Sequence, residues 1–559
     1  MSAYPQFSAL DANTQTFPVL TTAQINRARA SGKVRKVHSG EILFRPGDSG
    51  VPFFVLLSGS MEIVQPDLTG ERMITTHEPG SFTGELSMIS GQRCLVLGRV
   101  TEAGEFLEIS GEGLHSLVAR DSELSEIIMR AFILRRLALI TNQLGSMILL
   151  GSRHSAATLH LREFLGRNAY PYTYVDLDTD KMSQELLDRF QVKLAEVPVV
   201  ICCGGHSILR NPTIQELAER IGLNASIDNT EIRDLIIVGA GPSGLAAAVY
   251  AASEGLNALL VETEAPGGQA GSSSKIGNYL GFPTGVSGQE LASRALSQAQ
   301  KFGAKMMVAH SVIKLNCDRH PYQIILDDGR VLSTRSIVIA TGAQYNKPPI
   351  ANLKNFEGQG VYYGATYIES QFCENDDVIV VGGGNSAGQA AVFLSQTARK
   401  VHMLVRGGGL AETMSRYLIQ RILQNPAIEL HYNTEITSLE GGTHLERVTW
   451  MDKVTGETSS HAIHHIFIMA GASPRTEWLQ GCLALDDKGF ILTGRDLEFS
   501  AGSLPLNWPL ARAPQMLETS LPGVFAVGDV RAGNVKRVAS AVGEGAISVH
   551  LVHRALAEL

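Results

Sequence analysis

The sequence predicts a multidomain protein: an antiparallel β domain with helices, a small α/β domain, and two α/β domains with parallel sheets. Residues 33–110 alternate short apolar runs with glycine-rich turns, which is typical of antiparallel β structure. Residues 146–222 alternate strand-like with helix-like segments, which indicates a small α/β unit. Two strand–glycine–helix units then begin at residues 235 and 378, and they predict two similar parallel-sheet domains.

Length and composition support several packed domains. The chain has 559 residues, of which 44% are hydrophobic and 18% charged, so its composition excludes an intrinsically disordered protein. The net charge of −8 argues against a general nucleic-acid binder. Glycine is frequent, with 56 residues, and its excess favours turns that cradle nucleotides.

The sequence predicts a soluble, cytoplasmic protein. Its first residues lack the basic start and apolar core of a signal peptide, and the most apolar stretch, 137–151, is too short and too polar to span a bilayer. The six cysteines show no C-x-x-C spacing, which excludes a zinc ribbon, a contiguous redox dithiol and a small disulfide scaffold. No metal site is predicted.

The first glycine motif follows the apolar strand at 235–238. Gly239 permits a tight turn, Gly241 lets backbone N–H groups approach a pyrophosphate, and Gly244 lets the following helix pack closely on the strand. Glu262 ends the next strand, where a carboxylate accepts hydrogen bonds from ribose hydroxyls. This combination predicts a dinucleotide site rather than a glycine turn without a ligand.

The second motif has Gly382, Gly384 and Ala387 at the three special positions. Its second strand ends in Arg406 instead of an acid, and an arginine can pair with a 2′-phosphate. We therefore expect NADPH here, with NADH as the alternative if Arg406 is only a solvated side chain.

A third motif, GVFAVGDV at 523–530, puts Gly528 and Asp529 at the end of an apolar strand. Asp529 can hold a cofactor hydroxyl, and the helix that follows can face a flavin ring; the alternative role for Asp529 is a helix cap.

Residues 234–559 resemble the low-molecular-weight thioredoxin reductase family of pyridine-nucleotide flavoproteins. The matching segments are GAGPSGLAAAVY, GGQ at 267–269, IGNYLGFP at 276–283, ATGA at 340–343, VVGGGNSAGQAAVFL at 380–394 and GVFAVGDV. The resemblance implies a Rossmann-like, three-layer FAD domain (233–346 and 471–559) around a similar NAD(P)H domain (347–470). It also implies a homodimer whose domains rotate, and cofactor contacts from Gly268, Gln269, Asn278 and Gly342.

The sequence departs from that family at its dithiol. The family has C-A-T-C before the second glycine turn, where this chain has Gly364-Ala-Thr-Tyr367. Neither end residue can form a mixed disulfide, so we expect no internal dithiol relay. Cys373 lies nearby but has no partner at usable spacing, and a packed thiol is the favoured interpretation.

Residues 146–222 resemble the glutaredoxin/thioredoxin-like fold through their strand–loop–helix start and Val197-Pro198-Val199, with Pro198 the candidate cis-proline. Ser155 and Thr158 stand in the dithiol slots, so we expect a binding or spacing module without the redox reaction. Cys202-Cys203 are expected to be packed thiols. A linker is predicted at 223–232.

Residues 1–145 are predicted to form a β-roll with helices, and 15–145 resemble the cyclic nucleotide-binding domain of catabolite-activator and kinase regulatory proteins. LFRPGDSGVPFFVLLSG at 43–59 matches that family's first signature. The phosphate cassette is then Phe82-Thr-Gly84-Glu85-Leu86, with Arg93 as its cation and Glu85 as acceptor for the ribose 2′-hydroxyl. Leu95 is bulkier than the family prefers, and cyclic AMP, cyclic GMP or no ligand all remain open.

Two functions follow from these resemblances. The first is an enzyme that passes hydride from NADPH to FAD and then electrons to a thioredoxin-, ferredoxin- or flavodoxin-like partner, as dithiol-free ferredoxin–NADP reductases do, under cyclic-nucleotide control. The second is a cyclic-nucleotide or redox sensor with incidental turnover.

Overall fold

The computed structural model describes residues 14–66, 70–142, 147–180, 183–202, 207–224, 227–273, 276–357, 359–365, 370–371, 373–410, 414–469, 472–497 and 508–558. The structural statements below concern these residues.

The N-terminal part is built from two antiparallel sheets, ordered β1-β7-β3 and β2-β6-β4-β5. Alternating apolar side chains of both sheets form its core, in which Phe54 and Phe106 are fully buried with ring centroids 6.4 Å apart. The long helix α4 begins at an N-cap, Asp121, whose side chain accepts from Leu124 N. The elements are α1 (Thr22–Ala28), β1 (Lys33–Val37), β2 (Ile42–Phe44), β3 (Phe53–Leu56), β4 (Ser60–Pro66), β5 (Glu71–His77), α2 (Ser87–Ser90), β6 (Leu97–Glu102), β7 (Gly104–Ile109), α3 (Gly111–Arg120) and α4 (Ser122–Thr141).

The middle part is a four-stranded sheet of order β11-β10-β8-β9, in which β8 and β9 are parallel and the other pairs antiparallel. Ser155 caps α5, its Oγ accepting from Thr158 N, and Thr158 is itself buried. The peptide before Pro198 is cis, as the sequence predicted. The elements are β8 (Met147–Gly151), α5 (Ala156–Arg167), β9 (Thr173–Asp176), α6 (Ser183–Arg189), β10 (Val199–Cys202), β11 (Ser207–Arg210) and α7 (Ile214–Ile221).

The first large sheet has the order β14-β13-β12-β17-β16-β15, with β28 paired in parallel to β17. Successive residues of β12 point to opposite faces, so Leu235 and Ile237 pack under α8 and α13 while Ile236 and Val238 join a second core. The elements are β12 (Ile232–Val238), α8 (Pro242–Ser253), β13 (Ala258–Glu262), α9 (Gly268–Gly271), α10 (Gly288–Lys301), β14 (Lys305–Val308), β15 (Val312–Asn316), β16 (Tyr322–Leu326), β17 (Val331–Ile339), β18 (Ala343–Tyr345), β27 (Ala472–Pro474), β28 (Val524–Ala526) and α13 (Val538–Glu558).

The second large sheet, β19-β26-β20-β21-β22, is parallel throughout. Between β22 and β26 the chain forms a separate three-stranded antiparallel sheet, β23-β24-β25. Strands β18 and β27, which precede and follow this unit in the chain, pair with each other. The elements are β19 (Val361–Tyr362), β20 (Asp377–Val381), α11 (Asn385–Leu394), β21 (Lys400–Val405), α12 (Arg416–Leu423), β22 (Ile428–Tyr432), β23 (Thr434–Glu440), β24 (Arg447–Asp452), β25 (Thr458–His461) and β26 (His465–Ile468).

One apolar cluster joins three of these units. It contains Leu95 of the N-terminal part, Leu149 and Phe164 of the middle part, and Val308 of β14, all buried. Burial of Leu95 at this junction explains a large side chain at a position where a small one was expected.

In the described part of the chain, no helix combines the length and apolar character needed to cross a membrane.

Candidate functional site

The first glycine turn is shaped by close backbone contacts. Gly239 has φ +101°, and a Cβ there would lie 2.4 Å from the carbonyl oxygen of Ala340. A Cβ on Gly244 would lie 1.8 Å from the oxygen of Gly239. At Gly241, by contrast, no described atom lies within 4 Å of a Cβ. Two of the glycines are therefore required by packing, while Gly241 leaves open space at the N-terminus of α8.

Glu262 stabilises the same turn from the end of β13. Its Oε2 accepts from Ala240 N at 2.6 Å and its Oε1 from Glu264 N at 3.1 Å. Burial raises the pKa of this carboxyl, while these backbone donors and Arg167 oppose the shift. The carboxylate is thus held beside the glycine turn, where a ribose would lie.

The second glycine turn repeats this geometry. Gly382 has φ +141°, and its Cβ would lie 2.4 Å from the oxygen of Met469 and 3.1 Å from the Cβ of buried Ala387. For Gly384, the equivalent of Gly241, no described atom lies within 4 Å of a Cβ. Both turns therefore present an open position where a pyrophosphate could approach the backbone.

Asp529 lies after β28, close to the first turn. A Cβ on Gly528 would approach Ser243 Oγ to 2.5 Å, and Gly528 N donates to Glu544 at 2.7 Å. Burial raises the pKa of Asp529, Glu544 adds to this rise, and Lys536 opposes it.

Both turns open into one cleft of about 2300 Å³. It contains most of the cofactor residues expected from the sequence; Gly244 and Gly528 are outside the described lining and pack behind the turns. The lining includes Gly239, Gly241, Glu262, Gly268, Gln269, Asn278, Gly342, Gly382, Gly384, Ala387, Arg406 and Asp529.

Three of these residues shape the floor of the cleft. A Cβ on Gly268 would lie 3.0 Å from Gly241 Cα, so the two loops touch. Gln269 Nε2 donates to Ala343 O at 2.8 Å, and this bond connects the loop to the start of β18. Gly342 has φ +65° and, among described atoms, space around its Cβ position.

Arg406 is exposed at the end of β21 and faces the cleft. Lys453 also lines the cleft, and its backbone N–H donates to Asn433 O at 2.8 Å. Sequence reasoning missed Lys453, which lies far along the chain on the β24–β25 turn. Arg416 and Arg421 of α12 are outside the described lining.

The N-terminal cassette has a buried polar cluster. Glu85 Oε2 pairs with Arg136 Nε at 2.6 Å, and both side chains are more than nine-tenths buried. Arg135 Nη1 donates to the carbonyls of Phe82 at 3.1 Å and Gly84 at 2.8 Å. Glu85 Oε1 and the Nη2 atoms of both arginines are buried with no hydrogen-bond partner among the described residues.

The expected cassette cation has a different neighbour. The side chain of Arg93 lies against Gly222 in the middle part, where a Cβ would be 2.5 Å from Arg93 Cγ. Gly84 has φ +103° and packs on Phe132 of α4, and Leu86 ends the cassette as N-cap of α2. Sequence reasoning missed Arg135 and Arg136 because α4 is distant from the cassette in sequence.

Comparison with known proteins finds two family models that match this chain. The pyridine nucleotide-disulphide oxidoreductase family model matches residues 233–545, and the cyclic nucleotide-binding domain model matches 34–121. The chain belongs to the pyridine nucleotide-disulphide oxidoreductase family. It is a thioredoxin reductase-like NAD(P)H flavoprotein oxidoreductase fused to an N-terminal cyclic nucleotide-binding domain, and its family implies FAD and NADPH.

Individual relatives match the C-terminal part. Thioredoxin reductase of Treponema pallidum (strain Nichols) is 33% identical over 317 residues, 57% of this chain and 95% of the relative. That of Bacillus subtilis (strain 168) is 30% identical over 330 residues, 59% of this chain and 96% of the relative. The crystal structure of Lactococcus lactis thioredoxin reductase (FR conformation) has 28% identity and a TM-score of 0.52, covering 58% of this chain and all of that one.

Of the two residues expected at the family's dithiol position, Gly364 is described and Tyr367 is not. Gly364 lines the cleft, and a Cβ there would lie 3.7 Å from both Cβ and Oγ of Ser272. Cys373 is fully buried in the apolar core of the second sheet.

Helix α5 of the middle part forms one wall of the oxidoreductase cleft, which sequence reasoning missed. The helical spacing of the wall residues puts them on one face; they are Ala156, Leu159, His160, Glu163 and Arg167. Arg167 Nη2 donates to Ala265 O and Gly268 O, both at 3.2 Å. Gln289 Nε2 donates to Gly166 O at 2.6 Å. The middle part is therefore fastened to the loop after β13, beside Glu262.

A disulfide joins Cys317 and Cys482, which are 165 residues apart and were not paired by sequence reasoning. It links β15 to the segment after β27, and neither cysteine is among the described lining of the cleft. Cys202 is buried, whereas Cys203 lies outside the described residues.

Proposed function

We propose that the protein uses FAD and NADPH bound to the two glycine turns and reduces an acceptor other than an internal dithiol. The supporting observation is that Gly241 and Gly384 leave open backbone positions in one shared cleft. FAD would be held by Gly239, Gly241 and Glu262, with Asp529 on its other side. When bound, the flavin accepts hydride from NADPH and passes electrons on.

The remaining cofactor residues have complementary roles. Gly268, Gln269, Asn278 and Gly342 would shape the flavin side of the cleft, supported from behind by Gly244 and Gly528. Gly382, Gly384 and Ala387 would hold the pyrophosphate of NADPH, and Arg406 with Lys453 its 2′-phosphate.

The side chains at positions 364 and 367 limit the kind of electron acceptor that the reduced flavin can use. Neither side chain can carry a thiolate, so electrons would leave through a docked redox protein of the thioredoxin, ferredoxin or flavodoxin type. The ferredoxin–NADP reductase-like reaction is the alternative form of the same proposal.

A steady-state panel tests the acceptor. NADPH oxidation is measured with thioredoxin coupled to insulin, with ferredoxin, with flavodoxin and with Ellman's reagent. We expect turnover with a one-electron protein acceptor, and weak thioredoxin reduction that rises in the Gly364→Cys/Tyr367→Cys variant. Rapid insulin reduction by the parent that is lost in Cys373→Ser, or on replacement of Cys202 and Cys203, would contradict the proposal, since an internal thiol would then carry the electrons to thioredoxin.

We also propose that the N-terminal domain binds a cyclic nucleotide that alters turnover. Glu85 Oε1 is a buried acceptor with no protein partner among the described residues, which suits a ribose hydroxyl. The unpartnered Nη2 atoms of Arg135 and Arg136 are buried donors that suit a phosphate. The alternative is a sensor in which turnover is incidental; cyclic nucleotide that changes conformation without changing the turnover rate would favour it.

The division of the chain supports this arrangement. We propose domains at 1–145, 146–222, 233–346 with 471–559, and 347–470. The second is proposed to be thioredoxin-like, and its four-stranded sheet β11-β10-β8-β9 and the cis peptide before Pro198 support this. Its role is to close the cleft through α5. A homodimer and a cytoplasmic location complete the proposal.

A further inference from the structure

A cluster of two histidines and a glutamate lies on the sheet of the NAD(P)H-binding part. Strand register pairs His402 of β21 with Glu429 of β22, and His431 follows two residues later on the same face. The described lining of the cleft contains none of the three, so the cluster is separate from the oxidoreductase site.

The ligand atoms are spaced as around one metal ion. His402 Nδ1 is 3.1 Å from His431 Nε2, which is 3.6 Å from Glu429 Oε1. Metal–nitrogen and metal–oxygen bonds of about 2.0–2.2 Å put neighbouring ligand atoms roughly 3.0–3.5 Å apart. We propose that His402, Glu429 and His431 bind a divalent transition-metal ion such as Zn²⁺.

The surrounding charges leave the ligand oxygen available. Lys400 pairs with Oε2 of Glu429, so Oε1 is the oxygen that faces His431. Arg399 pairs with Oδ1 of Asp377 at 2.8 Å, while Asp377 Oδ2 lies 3.9 Å from His402 Nε2. That separation exceeds a hydrogen bond, so the Asp377 carboxylate acts on the ring through its negative charge, which favours a bound cation.

Burial and donor type narrow the choice of ion. His402 is 8% exposed, while His431 and Glu429 are half-buried, so an ion can enter from solvent. Two imidazoles and one carboxylate suit zinc, copper or nickel and not calcium or magnesium, which prefer oxygen ligands.

A second cluster shows what such a site must avoid. His310 lies near Asp327 and Asp328, but the guanidinium of Arg330 is 2.9 Å from His310 Nε2. The guanidinium contacts both ring nitrogens of His310 and so occupies the position that an ion would need, whereas Lys400 contacts only the other oxygen of Glu429. The second cluster therefore carries no proposal.

Trp450 gives the site its own optical reporter. Its ring centroid lies 5.6 Å from that of His402 and 5.4 Å from that of His431. The chain has three tryptophans, so Trp450→Phe isolates this signal. Cu²⁺ at the cluster should quench the fluorescence that this substitution removes.

The test uses the tag-free, FAD-loaded full chain in equilibrium dialysis against Zn²⁺ alone. We expect one zinc ion per chain, with affinity lowered about tenfold or more in Glu429→Gln and His431→Gln. His444→Gln, an exposed histidine in the same part, is the control and should leave binding unchanged. Glu429 is a half-buried surface residue, so its variant also decides the question if His431→Gln folds poorly.

Two results would overturn the proposal. One is a parent protein that takes up no stoichiometric zinc at micromolar free metal. The other is equal zinc binding and equal Cu²⁺ quenching in the parent and in Glu429→Gln.

Discussion

Gly241 and Gly384 are the residues at which the sequence motif and the open space in the cleft coincide. Both have extended backbones, with φ −68° and −94°, so a valine adds no backbone strain at either position. Its side chain would instead enter the space where a pyrophosphate must lie.

We expect Gly241→Val to give folded, colourless protein, and Gly384→Val to stay yellow but resist reduction by NADPH. Flavin absorbance and anaerobic NADPH titration measure the two effects, and each variant controls for the other. Full flavin content in Gly241→Val would show that the FAD site is assigned to the wrong turn.

Arg406 should set the choice between NADPH and NADH. A charge-assisted pair with the 2′-phosphate contributes about 10–100-fold in affinity, so Arg406→Ala should lower the NADPH/NADH ratio of kcat/KM by that range. Arg421→Ala is the matched control, because Arg421 is exposed but outside the described lining. Equal kcat/KM values of the parent enzyme for NADPH and NADH would show that Arg406 does not select between the two nucleotides.

His77 makes the N-terminal domain sensitive to acid. Burial, assisted by nearby Arg135, lowers the pKa of His77 from 6.5 to about 3. The unfolded chain therefore binds a proton that the folded domain does not, and stability falls as the pH drops from about 6.5 toward about 3, by up to about 1.4 kcal/mol per pH unit.

The His77→Gln variant cannot take up this proton, so its thermal midpoint should fall less between pH 7.5 and pH 5 than that of the parent. Scanning calorimetry measures both midpoints, and exposed His38→Gln serves as control. An identical loss in the parent and in His77→Gln would mean that other groups cause the acid sensitivity.

Among the secondary-structure elements, α5 connects the middle domain to the cleft, because it forms one of the cleft walls. Arg167 donates to Ala265 O and Gly268 O and so holds the helix against the loop that follows β13. We expect Arg167→Ala to weaken FAD binding about tenfold, because the wall loses its attachment. Flavin release during dialysis reports the change; exposed Arg189→Ala in the same domain should release no extra flavin. Unchanged FAD affinity in Arg167→Ala would show that the attachment of α5 does not contribute to FAD binding.

For the whole molecule, the question is whether the cyclic nucleotide-binding domain communicates with the flavin. Arg93 lies against Gly222, whose chain neighbours Ile221 and Leu223 belong to the apolar interdomain cluster with Leu95 and Val308. A bound nucleotide that attracts the Arg93 side chain toward residues 82–86 would change the contact between Arg93 and Gly222. By linkage, a ligand that alters turnover must bind the oxidised and reduced enzymes differently.

Calorimetric titration with cyclic AMP and cyclic GMP on both redox forms tests this coupling. We expect the oxidised and reduced forms to bind the nucleotide with different affinities. Arg93→Ala should weaken binding to both forms about 10–100-fold, whereas exposed Arg72→Ala should leave the affinity unchanged. If neither nucleotide gives a binding heat at millimolar concentration, the domain does not bind these ligands and its role is structural.

Local sequence determined the elements and the nucleotide turns of this protein. Glycine spacing, apolar strands and capping residues act over a few positions, so the helix at Ala156–Arg167 and the turns at Gly239 and Gly382 could be predicted directly.

Tertiary structure alone decided the partners that are distant in the chain. The wall formed by α5, the pairing of Glu85 with Arg136, the Cys317–Cys482 bond and the histidine cluster each join residues separated by at least 27 positions. No local periodicity encodes such contacts, because they depend on how completed sheets and helices pack together.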